Sequence, residues 1–378
     1  PPLLCPAERQ PSDASARVIA MHGPSRAAPV LDPGRIELLA ECSGASGKLL
    51  ASAPLEGGGH LEVTAHQASA HEGLPVGAPA GAWQEWRVLR FLGGEGGAKL
   101  AQSITKVCAW RNEGEEATEV RLRADSLILP YTKTFASVAL AALAAVEAPV
   151  LGPSAPDERL RVLCIGLGGG SVPSFLAHLV PHCEVDCVEL EPAVVKVAAE
   201  AMGFTEGSRL RVHTEDGAVF ALQEAGVGRS YDAVLVDAYL SDGTVPDSLR
   251  RPELGLARAL AAGLLRERGL VAINLKHPLD PAGPLATYGE ALGSPREASW
   301  SFSVREPTLA LDGYGLRGEG NVVAVFARGG RSVESAEELA DLLFEAADEV
   351  QEALRCPFAG QFSMANLATL GLRLWPGA

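Results

Sequence analysis

The sequence predicts an α/β fold: a doubly wound, mostly parallel seven-stranded sheet preceded by a small β-rich domain. Three observations carry that expectation. From Arg161 onward short apolar runs alternate with helical stretches, the pattern of successive βα units. The first run, Val162-Leu-Cys-Ile165, breaks into Gly166, Gly168, Gly169 and Gly170 where a strand would pass into a helix. The next three runs each lead into an acid, at Glu189, Asp216 and Asp237.

Residues 1–130 lack helical periodicity and read as the β-rich domain. Arg35–Ala40, Lys48–Ala51, His60–Thr64 and Trp86–Phe91 are short runs bounded by Gly, Ser and Pro, and read as strands. Ala70–Gly81 reads as a loop. Lys99–Val107 and Val120–Leu129 complete a hairpin around the acidic turn Asn112–Ala117. Residues 131–160 supply an Ala-rich helix, Tyr131–Val146, and a linker, Pro149–Asp157.

Residues 161–330 form the α/β unit. Ser171–Val180 follows strand one as a helix with Ser171 at its N-cap, and Pro192–Met202 follows strand two with Pro192 in the favoured first turn. Arg209–His213 and Asp232–Asp237 are strands three and four. Pro252–Leu265 is the next helix, Gly269–Leu275 strand five, and Trp300–Arg305 with Asn321–Ala327 the closing antiparallel pair. In residues 331–378, Ser335–Leu354 is an amphipathic helix and Gln361–Leu372 a further short one. A sheet of this kind takes its ligand at the carboxyl ends of its strands, where strand order reverses, and all three acids fall on that edge.

Those residues also speak to chemistry. Glycines let backbone approach a ligand closely, and Glu189, 23 residues beyond Gly166, is placed to accept hydrogen bonds from both hydroxyls of a ribose. Gly166-x-Gly168-x-x-Ser171 nearly fits a dinucleotide fingerprint, so a nicotinamide or flavin remains an alternative, as does a βαβ unit that binds nothing. The continuation favours another ligand. Asp216 is placed to accept from an adenine amino group, with Gly217 permitting a tight turn beside the ring. Acids closing strands two, three and four suit a cationic sulfonium without phosphate. S-adenosyl-L-methionine is therefore the expected cofactor. Asp237, facing the transferred group, is the expected proton acceptor and also a cofactor-binding carboxylate, the alternative being an acid that only binds cofactor or caps the next helix. Tyr239 and Asn274 at the same edge would orient the nucleophile.

Composition removes other classes. The chain has 32 basic and 47 acidic residues, a net charge of −15, which leaves no basic stripe for nucleic acid. The longest apolar stretch, Ala136–Val150, contains Glu147 and Pro149, so no membrane span is expected. Seven scattered cysteines make no disulfide framework, and Cys183 and Cys187 near His178 and His182 lack a second ligand pair, so no metal is expected. A cytoplasmic location follows as the default. The chain starts at Pro1 rather than Met, which leaves an upstream targeting leader open.

Longer motifs sharpen the reading. Ile165-Gly-Leu-Gly-Gly-Gly-Ser-Val-Pro173, Val188-Glu-Leu-Glu-Pro192, Met202-Gly-Phe204 and Arg211-Val-His-Thr-Glu-Asp-Gly217 resemble the spermidine-synthase-like branch of class I, Rossmann-like methyltransferases. Within that branch the likeness is greatest to the carboxy-terminal domain of the eukaryotic elongation factor 1-alpha lysine and N-terminal methyltransferases, over roughly residues 86–370. The resemblance implies that Gly166, Gly168 and Gly169 lie near the methionine part of the cofactor, Glu189 at its ribose and Asp216 at its adenine. Gln102 matches a glutamine that reaches the cofactor in spermidine synthases, and Asp237 the acid that deprotonates the attacking amine. Relatives of this type pair through their sheets, which implies a homodimer.

Departures from the polyamine-synthase pattern matter. Those enzymes carry an acid within the glycine loop where this chain has Gly170 and Ser171. Their second acid, three residues after the catalytic one, is Leu240 here, with Asp242 two further on. Their Tyr-Gln pair is Tyr131-Thr132. An acid in the loop would help bind the free amine of the decarboxylated cofactor and repel the carboxylate of the ordinary one. The expected activity is thus methyl transfer to an amine-bearing substrate, a protein lysine or N-terminal amine or a small molecule. Aminopropyl transfer of the spermidine synthase type is the alternative.

Overall fold

The computed structural model describes residues 47–67, 74–75, 77–92, 100–152, 158–240, 243–276, 279–293, 299–305, 321–354 and 371–375. The expected strand Arg35–Ala40 lies outside them. Five strands, β1 (Lys48–Pro54), β2 (His60–Gln67), β3 (Trp83–Leu92), β4 (Leu100–Trp110) and β5 (Glu119–Leu122), form an antiparallel meander paired in chain order. The last is shorter than the run Val120–Leu129 promised.

The second sheet contains β6 (Leu160–Ile165), β7 (Cys183–Glu189), β8 (Leu210–Thr214), β9 (Tyr231–Val236), β10 (Leu265–Leu275), β11 (Ser299–Arg305), β12 (Val322–Arg328) and β13 (Gly371–Leu374). Their order is β13-β11-β12-β10-β9-β6-β7-β8. Strands β8, β7, β6, β9 and β10 are parallel, and β12 inserts antiparallel between β10 and β11. The doubly wound α/β class expected from the sequence is what forms. An eighth strand, β13, adds to the outer edge of β11. It takes Gly371 and Leu372 out of the helix expected there, and the rest of that expected helix lies outside the described residues.

Alternation along the buried strands divides the core into two layers. Val162 and Cys164 of β6 face one cluster, built with α1 (Pro130–Ala145), α2 (Ser171–Leu179) and α8 (Ala336–Ala353). Leu163 and Ile165 face the other, built with α4 (Gly217–Gly226), α6 (Gly255–Ala261) and α7 (Ala282–Leu292). Helix α3 (Pro192–Met202) joins the two sheets: Val194, Val197, Ala201 and Met202 pack on Leu61, Val63 and Leu89 of the meander.

Two of the helix expectations are revised and one holds. Gly170, at φ 77°, is the N-cap of α2, and Ser171 is its first helical residue. Pro192 does occupy the first turn of α3. The helix expected over Pro252–Leu265 is shortened to α6, a separate short helix α5 (Asp247–Arg250) precedes it, and Leu265 already belongs to β10. Glu253 sits between the two helices at φ 60°, a left-handed conformation that a continuous right-handed helix does not contain.

Candidate active site

The chain leaves β6 for β7 and returns to β9 on the opposite side, so strand order reverses at β6. A cavity of about 510 Å³ opens at that point on the carboxyl edge, a size typical of small-molecule sites. It runs along the strand ends, with Asp216 after β8, Glu189 at the end of β7, the glycine loop after β6, Asp237 after β9 and Lys276 after β10. The turn after β1 and residues Ala101, Gln102 and Ser103 of β4 supply part of the opposite wall.

The glycines of the loop have different reasons for lacking a side chain. Gly166 has φ 104°, and a Cβ there would strike the carbonyl of Asp237. A Cβ on Gly169 would stand 2.7 Å from both Met202 Cε and Thr105 Cγ2, and one on Gly170 would enter the Phe204 ring. These are packing demands from within the protein. Gly168 differs, since a Cβ there meets only Ser103, at 3.4 Å. Its side of the loop is the open one. Gly217 is fixed by packing too, because a Cβ would run into Ile165.

Glu189 is held by the loop it serves. Its Oε2 accepts from Leu167 N at 2.9 Å and its Oε1 from Glu191 N at 3.1 Å. Burial pushes its carboxyl upward, and the backbone N–H groups that surround it pull the other way. The Gly168 and Leu190 N–H groups also bear on this carboxylate, which lines the cavity rim at the end of β7. Asp216 is the N-cap of α4: Oδ1 accepts from Ala218 N at 2.8 Å and Val219 N at 3.0 Å. Its Oδ2 has no partner among the described residues.

Asp237 is held by two neutral donors. Asn274 donates from Nδ2 to Oδ1 at 2.8 Å, and Tyr131 donates from Oη to Oδ2 at 3.2 Å. Burial raises its carboxyl above the usual range, while the Asn274 hydrogen bond, the charge of Lys276 and the Tyr131 hydrogen bond oppose that rise. Asn274 is itself fixed: its Oδ1 accepts from Asn321 Nδ2 at 3.1 Å and its carbonyl from Tyr239 Oη at 2.6 Å. Tyr239 therefore spends its hydroxyl on backbone, and its ring instead carries the Lys276 ammonium 4.1 Å from its centre. Lys276 also donates to Gln102 Oε1 at 3.1 Å. Burial lowers the Lys276 ammonium, opposed by the charge of Asp237.

Of the residues picked from the sequence, Gln102, Gly166, Gly168, Glu189, Asp216, Gly217, Asp237 and Tyr239 line this one cavity. Asn274 stands directly behind Asp237, and Gly169 faces away into packing. Sequence reasoning missed Lys276, Tyr131, Asn321 and Glu191 as parts of the site. Lys276 had a usable signal, since it follows strand five at the same edge as the three acids. Glu191 had none. Its carboxylate accepts from Glu56 N and Gly57 N, both at 2.8 Å, clasping the turn after β1.

The sheet order, with β12 reversed beside β10, gives a doubly wound α/β fold with an acid-lined cavity where the order turns back. No family model matches the chain. It is 34% identical over 141 residues to the human eEF1A lysine and N-terminal methyltransferase, a match covering 36% of this chain and 20% of that protein. It is 41% identical over 93 residues to the polyamine aminopropyltransferase of Vibrio vulnificus (strain CMCP6), covering 25% of this chain and 31% of that one. The matches thus span less than a third of these relatives' length. Among solved structures, human Methyltransferase-like protein 13 in complex with SAH aligns with 60% of this chain and 93% of its own, at 24% identity and TM-score 0.45. Spermidine synthase from Thermotoga maritima aligns with 76% and 83%, at 13% identity and TM-score 0.39. The sequence resemblance to spermidine-synthase-like methyltransferases holds in relatives of both kinds.

Proposed function

We propose that this chain is an S-adenosyl-L-methionine-dependent methyltransferase acting on an amine, with a protein lysine or amino terminus as the acceptor. The observation that carries the reading is Asp237, a buried carboxylate held by Asn274 and Tyr131 beside the open face of the glycine loop. The residues present fit the cofactor. Asp216 Oδ2 is available to an adenine amino group, Glu189 presents its carboxylate to the cavity where ribose hydroxyls would lie, and Gly168 leaves room for the methionine part.

The bound sulfonium would supply an activated methyl group, so the protein's tasks are placement, water exclusion and proton removal. Asp237 takes the proton from the incoming ammonium; its raised affinity for protons suits it to that task better than an exposed aspartate would be. Asn274 and Tyr131 fix its orientation by donating to one oxygen each. Tyr239 acts on the amine only indirectly, through its bond to the Asn274 carbonyl and its ring beneath Lys276.

Aminopropyl transfer is the second reading, favoured by the 41% identity to a polyamine aminopropyltransferase. Against it stand the missing acid at Gly170 and Ser171 and the ammonium of Lys276, which repels a diammonium substrate. Incubation with S-adenosyl-L-methionine and, separately, with its decarboxylated form, in the presence of elongation-factor peptides and putrescine, decides between them by product mass. A peptide gaining a methyl group supports the proposal. Spermidine as the sole product contradicts it.

A further inference from the structure

Lys276 is the single basic side chain among the described residues lining the cavity, which also holds Glu189, Glu191, Asp216 and Asp237. An ammonium in that company, partly desolvated, needs a reason. Its neighbours in the protein give it limited compensation: one amide oxygen, Gln102 Oε1, the face of Tyr239, and the charge of Asp237, whose two oxygens are already held by Asn274 and Tyr131. An anion delivered by a ligand would complete its surroundings.

Sheet geometry says which anion. The nucleoside acceptors stand at the ends of β7 and β8, and Lys276 follows β10, three strand positions beyond β7 in the order β7-β6-β9-β10. At the usual spacing of strands that is roughly 14 Å, the reach of an adenosine carrying an extended amino-acid chain. Gln102, bonded to Lys276, adjoins Ser103, the residue nearest the open side of Gly168. A ligand laid across the glycine loop from Glu189 therefore brings its far end to Lys276.

We propose that Lys276 is a specificity-determining residue that binds the α-carboxylate of the cofactor's methionine part, and so makes this cavity select the carboxylated over the decarboxylated adenosyl sulfonium. This rests on the cofactor reading given above. It also gives the cavity a positive feature that discriminates between the cofactors of the two reactions, beyond the missing acid in the glycine loop.

The test uses S-adenosyl-L-methionine and decarboxylated S-adenosylmethionine, which differ only in that carboxylate. Calorimetric affinities are measured for wild type and Lys276→Met, with 5′-methylthioadenosine, which lacks the amino-acid chain, as a control for the fold. Wild type is expected to prefer the carboxylated form by about 10- to 100-fold, the yield of one charge-assisted contact, and Lys276→Met to lose most of that preference while holding 5′-methylthioadenosine as before. A preference in the variant equal to that of wild type overturns the assignment and moves the carboxylate elsewhere, for instance to the amino end of α2. Equal affinities in wild type overturn it without any variant. Wild type binding none of the three nucleosides contradicts the cofactor reading itself, a result distinct from an unchanged preference.

Discussion

Asn274 on β10 donates its side-chain amide to Asp237 just beyond β9 at 2.8 Å, while its own carbonyl accepts from Tyr239 two residues along from that acid. Two neighbouring parallel strands thus fix one carboxylate from behind. Position, rather than any contribution to solubility or packing, is what this arrangement secures.

Asn274→Ala removes a donor that favours the ionised form of Asp237. The Asp237 carboxyl, already raised by burial, should rise further, so the acid limb of the pH–rate profile moves to higher pH. Turnover at neutral pH should fall about 10- to 100-fold with cofactor affinity nearly unchanged. Steady-state kinetics over a pH series, beside calorimetric titration of the cofactor, checks both halves.

Asp237→Asn should stabilise the protein without ligand while abolishing transfer. Because folding raises this carboxyl, its contribution to stability is fully present below the unfolded pKa and is lost as pH rises through the folded one. The neutral amide escapes that loss. Thermal unfolding midpoints should therefore favour the variant near pH 8, with the gain shrinking towards pH 4. A variant less stable at pH 8 would contradict the placement of a costly buried charge there.

The glycine loop separates two kinds of requirement. Gly170→Ala puts a Cβ into Phe204 on a left-handed backbone and should cost about 2–4 kcal/mol of stability, from overpacking plus backbone strain. Gly168→Ala has room beside Ser103 and should cost only about 1 kcal/mol, its larger effect falling on cofactor affinity. Denaturant midpoints and binding titrations on the pair distinguish the two.

Glu191 tests the link between the sheets. Glu191→Ala frees the amides of Glu56 and Gly57 and should weaken cofactor binding several-fold, with a loss of about 1–2 kcal/mol in stability. Hydrogen exchange at those two amides should speed up in the variant. Unchanged exchange would show that the turn is held by other contacts.

The doubly wound sheet was legible because buried parallel strands write themselves as apolar runs and the glycine loop marks the first crossover. The acids at Glu189, Asp216 and Asp237 were legible because a single rule, strand ends at a reversal of order, collects them. Glu191 was not, since its partners are backbone amides 134 and 135 residues away, and no side-chain pattern encodes a backbone donor. The break at Glu253 was hidden because a left-handed non-glycine residue leaves no compositional mark. The glycines carry a second demand that the sequence did not show: a Cβ on Gly166, Gly169 or Gly170 would meet Asp237, Met202 with Thr105, or Phe204, whereas one on Gly168 has room beside Ser103.

The proposed function requires an adenosyl sulfonium along the carboxyl rim from Asp216 to Asp237. Isothermal titration of the purified protein with S-adenosyl-L-methionine and with nicotinamide adenine dinucleotide tests it most directly. Saturable one-site binding of the sulfonium, weakened by Glu189→Ala and absent for the dinucleotide, is the predicted result. Saturable uptake of the dinucleotide with no heat from the sulfonium would contradict it.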